Sequence, residues 1–92
     1  MTDLPSAPYL DSATVADSAR RVLGAMVQRA PDALADSSRL FVDLGMKSSN
    51  VLHLLLMLER ELDVRFDVES LEPGHLETVG SLIAFVTRVA AR

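Results

Sequence analysis

Val51, Leu54, Leu55, Leu58 and Leu62 fall at the i, i+3, i+4, i+7 spacing that gathers apolar side chains onto one face of an α-helix. A strand buries every second residue, so this spacing fits no sheet face. Two further stretches repeat the pattern. Val15, Ala19, Val22, Leu23, Met26 and Val27 recur at helical spacing, with Asp17, Ser18, Arg20, Arg21 and Gln28 on the other face. Val79, Leu82, Ile83, Val86 and Val89 make a third stripe, with Phe85 broadening it or at its margin. No β-hairpin signal, internal repeat or low-complexity tract interrupts this plan. The expected fold is all-α, a small four-helix bundle of three long helices and one short one.

Boundaries follow from local chemistry. Residues 1–10 contain Pro5 and Pro8 and read as a flexible lead-in, which leaves residues 11–92 as one folded domain. Asp11 or Ser12 offers a cap for the first helix, which should run to about Arg29 and stop before Pro31. Gly24 inside it costs roughly 1 kcal/mol against alanine; it either admits a neighbouring helix or has no role. Residues 31–47 show no sustained period, yet carry Leu34, Leu40, Phe41, Leu44 and Met46, which are expected to tack the connection onto the bundle. A brief helical turn around residues 32–35 fits here, and Leu44 suits a core anchor. The second helix should span Ser48 to about Asp63. Phe66 is assigned to the core, and a short helix is placed near Val68 to Leu71, interrupted by Pro73-Gly74. Thr78 suits the cap of the last helix, where Arg88 and Arg92 favour the closing dipole.

Composition removes several functions. With 49% of 92 residues apolar, a core forms without staples. The absence of cysteine rules out disulfides, thiolate catalysis and zinc ribbons. His53 and His75 lie too far apart in the chain to suggest a metal site, so no metal is expected. The net charge of −4 argues against nucleic acid and anionic lipid as partners. The longest apolar run, Leu54 to Leu58, is too short to span a membrane. The beginning lacks the basic start and apolar core of a signal peptide, so the expectation is a cytoplasmic monomer.

One turn carries the functional signal. In Asp43-Leu44-Gly45-Met46-Lys47-Ser48, Gly45 is expected to take backbone angles closed to other residues, and Ser48 suits the cap position of the second helix. A hydroxyl placed there lies beside unpaired N–H groups and the positive end of the helix dipole, a favourable seat for a phosphate. Ser48, His53 and Asp43 do not suit a catalytic triad. Five helical positions turn through about 500°, which sets Ser48 and His53 apart around the axis. His53 and His75 read as exposed residues, and Glu59, Glu61 and Asp63 as a solvated helix end.

The spacing Asp43-Leu44-Gly45-Met46-x-Ser48, followed by Leu54, Leu55, Leu58 and Leu62, resembles the acyl carrier protein and peptidyl carrier protein family. The resemblance extends from about Val15 to Val89. It implies that Ser48 carries 4′-phosphopantetheine as a phosphodiester, taken from coenzyme A by a phosphopantetheinyl transferase, with Asp43, Leu44 and Gly45 forming the turn before it. It implies a discrete carrier rather than an enzyme. Cargo would ride as a thioester on the arm, serving acyl- or aminoacyl-loading and transferring enzymes. In the family the second helix is the main surface read by partners, which here gives a partner face of Met46, Lys47, Ser49, Leu52, His53 and Leu56. Leu52 and Leu56 stand four apart off the buried stripe, as a docking patch would. Three residues depart from the family pattern. Lys47 stands where an acid is usual, Ser49 where leucine is usual, and His53 where glutamate is usual. Members that serve fatty-acid synthesis carry a run of acids along this helix; the matching positions here read Lys47, Asn50, His53, Glu59 and Arg60. The excess of arginine over lysine and the many alanines resemble proteins of high-GC bacteria, in which stand-alone carriers serve polyketide or peptide natural-product pathways. A second reading is a plain helical interaction module that offers Leu52 and Leu56 to a partner helix or groove, with Ser48 only a cap.

Overall fold

The computed structural model describes residues 12–90. The lead-in over residues 1–10, the alternative cap at Asp11 and the terminal Arg92 lie outside the described residues. Three α-helices make the fold: α1 (Ser12–Val27), α2 (Ser48–Leu62) and α3 (Val79–Ala90). Both α2 and α3 pack on α1. Val15, Leu23, Leu40, Leu54, Leu58, Leu82 and Val86 are buried completely between them. Each such side chain contributes about 1.5–3 kcal/mol by leaving water. Among the described residues there is no strand, only an isolated antiparallel bridge between Arg39 and Thr78.

Each long helix ends or begins as its sequence allows, with four corrections. The first concerns α1, which stops at Val27 rather than near Arg29. Gln28 takes a left-handed φ of 59°, and the Arg29 N–H returns to the Gly24 carbonyl at 2.9 Å. That is a Schellman ending, with Gly24 three positions before the cap. A Cβ on Gly24 would lie 2.6 Å from the Arg29 carbonyl oxygen, so this glycine admits the chain's own return, not a second helix. Secondly, Ser18 belongs to the buried side of α1, where its hydroxyl accepts from Arg21 at 3.3 Å. The third is that Phe85 is a core residue of α3, while Ile83 and Val89 lie at the margin. Its ring stacks on Phe66 at 5.7 Å and on His75 at 4.5 Å. His75 is therefore a half-buried packing residue and not an exposed loop residue; its Nδ1 accepts the Glu72 N–H at 2.9 Å.

The fourth correction is the short helix. In its place Val68–Ser70 and Pro73–Leu76 form two separate 3-10 turns. Pro73 forces Glu72 into extended angles, φ −113° and ψ 156°, so no helix passes through that point. Pro31–Ala33 likewise forms a single 3-10 turn, close to the brief turn expected after α1.

Candidate functional site

The connection before α2 is pinned to the bundle at intervals. Leu34, Leu40, Leu44 and Met46 are buried. Its backbone is also zipped to the start of α3: the Leu40 N–H donates to Glu77 O at 3.2 Å, Val79 to Ser38 O at 2.9 Å and Gly80 to Asp36 O at 2.9 Å. The last two satisfy N–H groups that a helix start leaves without intrahelical partners. Thr78 and Ser81 finish that start as a reciprocal cap, with Ser81 N–H to Thr78 Oγ1 at 3.1 Å and Thr78 N–H to Ser81 Oγ at 2.9 Å.

Within this frame residues 39–46 fold back on themselves. The N–H groups of Asp43 and Leu44 both donate to Arg39 O, at 2.9 and 3.0 Å, and Met46 N–H donates to Leu40 O at 3.0 Å. The Asp43 carboxylate accepts the Arg39 N–H at 2.8 Å. Asp43 thus shapes the turn from inside rather than orienting His53. Gly45 takes a φ of 72°, in the left-handed region that favours glycine, and a Cβ added there would meet nothing within 4 Å. Its necessity is one of backbone angle, not of space. The buried Leu44 and Met46 flank it as anchors. Met46 is therefore a core residue and drops out of the partner face.

Ser48 is the first residue of α2, one place later than a cap. The cap position belongs to Lys47, whose φ of −111° and ψ of 157° are extended. A lysine side chain has no acceptor and cannot cap a helix. Asn50 supplies only the reciprocal half of a capping box: its Oδ1 accepts the Lys47 N–H at 2.9 Å, while its own N–H donates to Lys47 O at 2.8 Å. The Ser48 hydroxyl is left exposed, with no hydrogen-bond partner among the described residues. The N–H groups of Ser48 and Ser49 stand where a helix has no acceptors to offer. The start of α3 is closed by the loop, and that of α2 is open.

Beyond Ser48, exposed residues follow along α2. Leu52 and Leu56 are 60% and 49% exposed, at four-residue intervals from the serine, and Ser49 and His53 are exposed beside them. The acids of α2 turn elsewhere. Glu59 accepts the Phe66 N–H at 2.8 Å, and Glu61 pairs with Arg21 at 2.8 Å. Phe41 and Val42 add exposed apolar surface on the loop, Val42 at 71%. Phe41 thus does not anchor the loop. Two features went unread in the sequence, Asn50 as the partner of Lys47 and Val42 as exposed surface. The first was legible in an amide three positions after a residue that cannot cap. Nothing local distinguishes Val42 from the buried Leu40.

A family model described as a phosphopantetheine attachment site matches residues 11–86. No curated protein matches the sequence.

Proposed function

The chain belongs to the phosphopantetheine attachment-site family of acyl and peptidyl carrier proteins, whose members carry 4′-phosphopantetheine covalently, and on that premise we propose that it holds biosynthetic intermediates on an arm attached to Ser48. Domains of this family are in general tethers for partner enzymes and not catalysts. One observation supports Ser48 above all. Its hydroxyl is exposed, unbonded and set at the open start of α2, so capping does not explain a serine there. The plain interaction module gives Ser48 only the role of a cap, which its unbonded hydroxyl does not fill.

The residues present fit the arm. Ser48 offers the oxygen of a phosphodiester, the first N–H groups of α2 suit a negative charge, and Gly45 supplies the left-handed φ of 72° that turns the chain into the helix. When bound, the arm supplies the thiol on which acyl or aminoacyl cargo is held, a group that this cysteine-free chain lacks. The chain's own task is to fix the serine and be gripped. Tethering raises the local concentration of cargo at a partner's active site without tight binding. Leu52 and Leu56 supply apolar grip for the transferase and for loading and transferring enzymes.

The partner set is a dedicated one, in a polyketide or peptide natural-product pathway. Support comes from the charge of α2: Lys47 and His53 replace acids, and Glu59 and Glu61 are engaged inside the molecule. Charge steers encounters and rejects wrong partners, so a carrier without that acidic face suits enzymes that bind through apolar contact. Intact-protein mass after incubation with coenzyme A and a broad-specificity phosphopantetheinyl transferase tests the reading. The expected result is a gain of one arm, absent in Ser48→Ala. A chain that stays unmodified overturns it.

A further inference from the structure

We propose that Lys47 is a positioning residue for the arm's phosphate, its ammonium holding the phosphodiester against the start of α2. The inference rests on the reading that Ser48 carries the arm. Lys47 is the chain's single lysine, and among the described residues its side chain makes no ion pair or hydrogen bond. Between Arg39 and Asn50 the charged residues are Arg39, Asp43 and Lys47. The first two face one another, with Arg39 Nε 3.9 Å from Asp43 Oδ2 and the Arg39 N–H donating to the same oxygen at 2.8 Å. One positive charge is left over, next in sequence to the serine.

That placement works against the bare helix. A cation at a helix start opposes the positive end of the dipole, and lysine brings no capping acceptor to offset it. The balance reverses once an anion is attached to the next residue. The phosphodiester then meets the ammonium, the dipole and the open N–H groups of Ser48 and Ser49 together. The root of the lysine is fixed, because its N–H and its carbonyl are both bonded to Asn50, at 2.9 and 2.8 Å. Only the flexible stem must turn to meet the phosphate. Such a pair lies in water and is screened by salt, so it orients the arm near its root without locking it.

The experiment compares melting temperatures of the unmodified and arm-bearing protein, for the native chain, Lys47→Met and Lys47→Glu, at low and high salt. A structural role of Lys47 moves both forms alike, whereas pairing with the phosphate changes their difference. We expect the arm to raise the native melting temperature by a few degrees at low salt. The rise should be smaller in Lys47→Met, absent or reversed in Lys47→Glu, and largely lost at high salt. Equal rises in the native and Met chains overturn the proposal. Should Lys47→Glu accept no arm, the native chain and Lys47→Met decide: a smaller and less salt-sensitive rise in Lys47→Met upholds the proposal, and equal rises overturn it. If mass shows no arm on Ser48, the underlying reading fails and this one with it; an arm on Ser48 with equal rises defeats this inference only.

Discussion

At the scale of single residues, the side chain proposed to carry the arm and the side chain that ties down the helix start are different ones. Ser48→Ala removes a hydroxyl that bonds to nothing, so its stability should stay within about 0.5 kcal/mol of native. Asn50→Ala removes the bond that holds the Lys47 N–H and should cost about 0.5–1.5 kcal/mol. Thermal melts of the two variants check this, and a large loss in Ser48→Ala with none in Asn50→Ala would reverse the assignment. The turn itself was legible, because only a glycine is easily placed at a φ of 72° and only an anchored Leu44 fixes the residues after it. The division of labour between Ser48 and Asn50 was not. A serine before an apolar run has the same look whether it caps or stands one place inside, and the hydrogen bond to Asn50 decides it. Leu52→Ala and Leu56→Ala should also melt within a few degrees of native, since both are exposed, while loading by the transferase slows. A loss of several kcal/mol would mean that these leucines pack in the core.

At the scale of elements, α1 and α2 both end on a non-glycine residue in the left-handed region, Gln28 at φ 59° and Asp63 at φ 54°. Each ending returns an N–H to the helix, Arg29 to Gly24 at 2.9 Å and Val64 to Glu59 at 3.1 Å. Such a residue costs about 1–2 kcal/mol there, offset in part by the freedom a glycine loses on folding. Gln28→Gly should therefore raise stability by up to about 1 kcal/mol, or several degrees in the melt. Gly24→Ala should do the opposite. Helix propensity alone promises a gain of about 1 kcal/mol, yet the added Cβ collides with the Arg29 carbonyl, and a net loss of about 1–3 kcal/mol follows. A more stable Gly24→Ala chain would contradict this account of how α1 ends. The long helices were readable because their apolar spacing is sustained over three or more turns. The fourth was not, because a stretch broken at Pro73 is too short to show a period, and two 3-10 turns serve as well there.

At the scale of the whole molecule, rigidity and recognition are divided between two helix starts. The start of α3 is closed by the loop and holds it; the start of α2 is open and presents Ser48. The proposed partner choice belongs to this scale, because charge steers encounters as a sum over the α2 face. Restoring acids with Lys47→Asp and His53→Glu should raise turnover by a fatty-acid synthesis enzyme at low salt, and the gain should fade as salt rises. An unaltered chain that already serves that enzyme as well as the enzyme's own carrier would contradict the dedicated partner set. The central claim is narrower, that one hydroxyl at the open end of α2 carries the arm. Fragment masses of the arm-loaded protein, read across the bond between Ser48 and Ser49, test it most directly. The whole of the added mass is expected on Ser48 and none on Ser49; an arm on Ser49, or on any other residue, would contradict the assignment.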